Sequence, residues 1–177
     1  MKIKTLCIAM AVFTATAHYA NAADGKLTFQ GNITNSSCTL SSGESSTITV
    51  PMGSIPKSVF EGGNKSGPQV GFRISLTNCD AGTYYLIIDG ATVDGEDNIL
   101  ALDDAGSDTT GVGIKITDTS NKAVTISKKF ESSDASITIG EQGGAGAFLL
   151  KANYQAIADT VEPGVANATA HFTIVQQ

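Results

Sequence analysis

The chain has 177 residues, with 11 Lys+Arg against 17 Asp+Glu, 3 Cys, 2 His and no Trp, a length that suffices for one cored domain or two small ones. A net charge of -6 argues against a nucleic-acid binder, which needs a basic face to neutralise phosphates. Apolar content of 41% is too high for a disordered chain.

Lys2 and Lys4 make a positive start, Thr5 to Ala17 is an uncharged and mostly apolar run, and Ala20-Asn21-Ala22 supplies small residues at A-x-A spacing. This order is the pattern of a secretory signal peptide, so residues 1–22 are expected to be removed on export. The competing reading, a membrane anchor, fails on length: about 13 residues cannot cross a hydrocarbon core that takes roughly 20. The expected mature chain, 23–177, has 177 − 22 = 155 residues and a charge of 9 − 17 = -8, because Lys2 and Lys4 leave. It keeps two cysteines, Cys38 and Cys79, and one histidine, His171.

The mature chain opens with an extended segment, residues 23–37, ahead of the first cysteine. Gly25, Leu27, Phe29, Gly31 and Ile33 fall on one side of it by strand alternation. Such a strand can pair inside its own domain or leave and pair with another. Cys38 and Cys79 follow, 41 positions apart. In an oxidising compartment two cysteines are most simply one disulfide, and the closed loop contributes about 4 kcal/mol by chain entropy. A metal or redox pair is the alternative, but there is no Cys-x-x-Cys and only one histidine to spare.

From there the pattern is β throughout. Period-2 alternation recurs at Thr47 to Val50, Val70 to Leu76, Tyr84 to Ile88, Val112 to Ile116, Ser136 to Ile139, Phe148 to Tyr154 and Ala170 to Ile174. Turn formers separate these runs: Glu61 to Asn64, Asp80 to Gly82, Asp94-Gly95, Glu141 to Gly146 and Pro163-Gly164. No stretch carries a capped 3.6-residue apolar stripe. Seven or more short strands with regular turns predict one β-sandwich over residues 38–177.

Groups for catalysis are scarce. His171 lies in the last strand, opposite the face of Phe172 and Ile174, with no nucleophile mapped beside it. Asp94 to Asp97 and Asp103-Asp104 lack calcium-loop spacing and read as solvated turns. The glycine tract 140–146 lacks the Lys-Ser/Thr of a phosphate cradle. The sequons at Asn32 and Asn167 are expected to fall inside strands. No catalytic residue, metal site or cofactor is expected.

Several spaced segments together resemble type 1 family fimbrial (pilin) subunits of the chaperone–usher pathway. They are Ala23-Asp24 and Phe29-Gln30-Gly31 ahead of Cys38, Phe72 to Cys79, Ile99 to Leu102, Gly111 to Asp118, Tyr154-Gln155-Ala156, and Pro163 to Ala168 leading into Ala170 to Val175. The resemblance implies an all-β, incomplete immunoglobulin-like β-sandwich completed by a donor strand from another subunit. A periplasmic chaperone fills the open groove first; the amino-terminal extension of the next subunit replaces it in the fibre. Chaperone–pilin pairs are themselves a standard instance of strand addition.

On that resemblance Gly25, Leu27, Phe29, Gly31 and Ile33 form the donor strand, and Ala170, Phe172 and Ile174 wall the acceptor groove and chaperone edge. Burying Leu27, Phe29 and Ile33 would supply about 5–9 kcal/mol before ordering costs. The implied partners are neighbouring pilin subunits, the chaperone and an outer-membrane usher, with a fimbrium at the cell surface as destination. One departure stands out: family members commonly end on a penultimate tyrosine, where this chain has Gln176. A minor or tip-associated pilin with direct receptor binding is the alternative, with recognition placed at Tyr84-Tyr85 or Asp94 to Asn98. A secreted hydrolase ranks third, for want of a nucleophile and base.

Overall fold

The computed structural model describes residues 38–40, 47–105, 110–128 and 136–177. All belong to one compact unit, Asn35–Gln177; the other unit, Met1–Thr34, lies outside the described residues. Among the described residues eight strands form two antiparallel sheets: β1 (Thr39–Leu40), β2 (Val70–Cys79), β3 (Gly82–Asp89), β4 (Ile99–Leu100), β5 (Val112–Asp118), β6 (Ser136–Ile139), β7 (Gly144–Ala156) and β8 (His171–Gln176). The first sheet runs β1-β2-β7-β5-β4 and the second β6-β3-β8. The only multi-residue helices among the described residues are two short 3-10 turns, Lys57–Phe60 and Asp103–Ala105.

Alternation explains the core. Ile74 and Leu76 of β2, Phe148, Leu150 and Ala152 of β7, and Val112, Ile114 and Ile116 of β5 face Tyr84, Leu86 and Ile88 of β3, all buried in one cluster. Two inward apolar faces stacked this way remove most of their surface from water, the main favourable term in folding. Tyr84 is 2% exposed, and its hydroxyl donates to the Asp80 carbonyl at 2.9 Å, so the ring brings no unsatisfied polar group with it.

Strict alternation through Phe72, Ile74 and Leu76 would turn residue 78 inward. Instead Asn78 takes a left-handed φ of 53°, a region asparagine tolerates better than most residues, and the β2–β7 register shifts between Leu76 and Cys79. The extra residue sends Asn78 to solvent and Cys79 into the core. There Cys79 is joined to Cys38 in a disulfide, which ties β1 to the end of β2.

Three expectations from the sequence need correcting. Residues 47–50 alternate as a strand would, yet no strand forms there. The tract expected to turn from Glu141 to Gly146 turns only at 141–143, because β7 begins at Gly144. A Cβ at Gly146 would come within 2.8 Å of Ile137 and Ile139, so the glycines allow β6 to lie close over the start of β7. Asn167, expected inside a strand, precedes β8 and belongs to none.

Candidate functional site

β8 is the last strand, and it is an edge. It pairs with β3 from Asp89↔His171 to Tyr84↔Gln176, and among the described residues nothing pairs with its other side. Phe172 and Ile174 turn inward, half-buried, and pack on the core cluster, while His171 and Thr173 are exposed.

The backbone alternates with the same period. Gln177 N–H donates to the Thr83 carbonyl at 2.9 Å, which fixes the phase of the ladder. Pairs two residues apart then share the hydrogen-bonded type, so His171, Thr173 and Val175 bond to β3. The N–H and C=O groups of Phe172 and Ile174 point the other way, along the outer edge. The two residues that present apolar side chains inward are thus the same two whose main-chain donor and acceptor are unpaired among the described residues.

A second alternating apolar row lies in residues 48–52. Ile48, Val50 and Met52 are half-buried against the same core cluster, and Thr49 and Pro51 between them are exposed. This is the side-chain pattern of a strand without its ladder: none of the described residues pairs with 48–55.

The lead-in to β8 has no regular structure, yet it is held at several points. Glu162 N–H donates to the Thr110 carbonyl at 2.9 Å. Tyr154 Oη donates to the Ala166 carbonyl at 2.9 Å. Asp103 N–H donates to the Asn167 carbonyl at 2.8 Å, and the Asp103 carboxylate accepts from Thr169 N–H at 3.1 Å and Thr169 Oγ1 at 2.9 Å. Ala166 and Ala168 pack on the core below.

Of the acceptor residues expected from the sequence, Phe172 and Ile174 sit in β8, and Ala170 lies just before it, exposed. The donor residues Gly25, Leu27, Phe29, Gly31 and Ile33 lie outside the described residues, as do the expected signal peptide and Asn32. Gln176 turns its side-chain amide onto the Ala81 carbonyl at 3.2 Å, over Gly82, where a Cβ would come within 2.6 Å of Nε2. Asp103 is exposed in a 3-10 turn, as expected of a solvated turn residue, and it also binds the lead-in. Its partner is 66 positions away, and no local sequence signal marks it.

The residues considered for other roles are placed differently. Tyr84 is in the core and Tyr85 is half-buried on β3, the alternation expected of a strand through Tyr84 to Ile88 rather than a surface loop for receptor binding. Asp97 pairs with Lys128 at 3.1 Å, both well exposed, an arrangement worth little in water. Among the described residues no group of three His, Cys, Asp or Glu could hold a metal ion.

Comparison with known proteins agrees with this architecture. Residues 27–177 match the family model described as fimbrial protein. A type-1 fimbrial protein subunit of Serratia marcescens is 38% identical, covering 98% of each chain. The type-1 fimbrial protein A chain of Escherichia coli is 31% identical over the full length of both. Among solved structures, the P pilus rod subunit PapA superposes with a TM-score of 0.64 at 24% identity, covering 80% of this chain and 99% of that one; at that identity the likeness shows the fold. The chain belongs to the fimbrial protein family. It is an all-β, immunoglobulin-like structural subunit that associates with other pilin subunits in a fimbria on the cell surface.

Proposed function

We propose that this subunit polymerises by donor-strand exchange, with the β8 edge as acceptor and residues 25–33 of the next copy as donor. The chain would divide into a leader at 1–22, a donor extension at 23–37 and the acceptor sandwich at 38–177. A periplasmic chaperone would occupy the edge during transit and an outer-membrane usher would exchange it for the neighbour. The role is structural rather than enzymatic.

The observation that carries this reading is the β8 edge, where Phe172 and Ile174 offer apolar side chains and main-chain hydrogen-bonding groups together. A strand of alternating apolar residues satisfies both at once, as Leu27, Phe29 and Ile33 would, while Gly31 admits close backbone approach. An edge left open this way is an aggregation hazard unless something covers it, which is the physical need for a chaperone.

Phe29→Asp and Gly31→Leu are expected to abolish SDS-resistant fibres in cells that supply chaperone and usher, with the monomer's fold kept. Fibres at the normal level from either variant would sink the donor assignment. The buried strand leaves slowly, so fibre durability is kinetic. It should appear as resistance to dissociation over hours rather than as a high equilibrium affinity.

A further inference from the structure

We propose that Asp103 is a positioning residue for assembly: it holds the entry to β8 in place before an incoming strand arrives. This rests on the reading of β8 as the acceptor edge. Among the described residues β8 is laddered on one side only, and the residues before it, 161–170, have no regular structure of their own. Such a segment would fray at its start unless something distant fixed it.

Asp103 supplies three of the links that do so. Its N–H bonds the Asn167 carbonyl at 2.8 Å, and its carboxylate takes both Thr169 N–H, at 3.1 Å, and Thr169 Oγ1, at 2.9 Å. The carboxylate bonds are charge-assisted, at a solvent-exposed contact. They close two residues ahead of His171, so they fix where β8 begins and hence which residues face its outer edge. The next residue, Asp104, takes a left-handed φ of 52°. Gly90, just past β3, lies where a Cβ would be 3.5 Å from the Thr169 carbonyl and from Ala170 Cβ, so the entry packs flush against the strand that β8 joins.

An acceptor edge that is already ordered does not have to be ordered by the donor, and capture is faster by that difference. Once the neighbour's strand is in, β8 is laddered on both sides and no longer depends on the clamp. Asp103 therefore acts on capture of the strand more than on the finished fibre.

The test is polymerisation of the mature chain from refolded monomer, followed in time as SDS-resistant polymer with residue-resolved hydrogen exchange on β8. Asp103→Ala is expected to slow polymerisation about tenfold, the loss of a bidentate charge-assisted contact. Thr169→Val, which keeps the N–H bond and loses the hydroxyl one, should fall between it and the parent chain. Finished polymers of all three should melt alike. Polymerisation of Asp103→Ala at the parent rate overturns the proposal. So does a slowdown matched by equal loosening of the finished polymer, which would mark the carboxylate as merely structural. If Asp103→Ala does not fold, Thr169→Val decides by the same criteria. Failure of the underlying reading looks different and overturns both: the Phe172 and Ile174 amides of the parent chain would gain no protection on polymerisation.

Discussion

At the scale of single residues, Tyr154 shows how a half-buried polar side chain serves the sandwich. Its ring packs on the core cluster from β7, and its hydroxyl donates to the Ala166 carbonyl, anchoring the lead-in to β8. Burial raises its pKa above the usual 10.0, because the folded environment disfavours the phenolate. The unfolded chain therefore ionises first as pH rises. The stability Tyr154 contributes is fully present below pH 10.0 and is lost as pH climbs through the raised folded value. Urea unfolding midpoints should fall over that alkaline window. Tyr154→Phe should remove its share of that fall while lowering stability at neutral pH by about 1 kcal/mol for the lost hydrogen bond. An unchanged alkaline slope in the variant would show that other groups carry the effect.

At the scale of elements, β8 predicts a pattern in the monomer that only one ladder phase can produce. The amides of Thr173 and Val175 face β3 and should exchange slowly; those of Phe172 and Ile174 face the outer edge and should exchange fast. Native-state hydrogen exchange at residue resolution checks this, and the reverse pattern would place the phase one residue off. Most strands were readable beforehand because their inward residues recur at every second position, as in Ile74-Leu76, Leu86-Ile88 and Phe172-Ile174. Others were not. β1 and β4 are two residues each, too short for a period to appear. Residues 48–52 carry the period without the strand, because alternation reports which side chains are buried and not whether the backbone has a partner. The Asn78 bulge was hidden for a similar reason: one extra residue inverts the faces without altering composition.

At the scale of the whole molecule, the described sandwich is cross-linked once, from Cys38 to Cys79. The closed loop spans 41 residues, and a Cys38→Ser/Cys79→Ser chain should lose about 4 kcal/mol by loop-closure entropy. Urea unfolding of the two chains under oxidising conditions measures the difference, and equal midpoints would refute the estimate. The β-sandwich and the disulfide were legible in alternation and redox context, which are local or compositional signals; the last strand's role as an open edge was implied only by the resemblance to pilins. The proposed acceptor edge was legible only in its inward side chains, Phe172 and Ile174. What holds it, the Asp103 clamp and the Tyr154 anchor, depends on residues that are distant in sequence and meet only once the two sheets are stacked.

The shared period of side chain and backbone along β8 also sets a mechanical rule. Any strand seated on that edge meets it as a pawl meets a rack, with a tooth spacing of two residues, about 6.8 Å. A slip by a single residue would turn the seated strand's apolar face to solvent and its polar face to the core. Intermediate positions are therefore barred, and a strand can shift along the edge only in whole teeth. The axial offsets of subunits joined through such an edge would then differ only by whole multiples of that spacing.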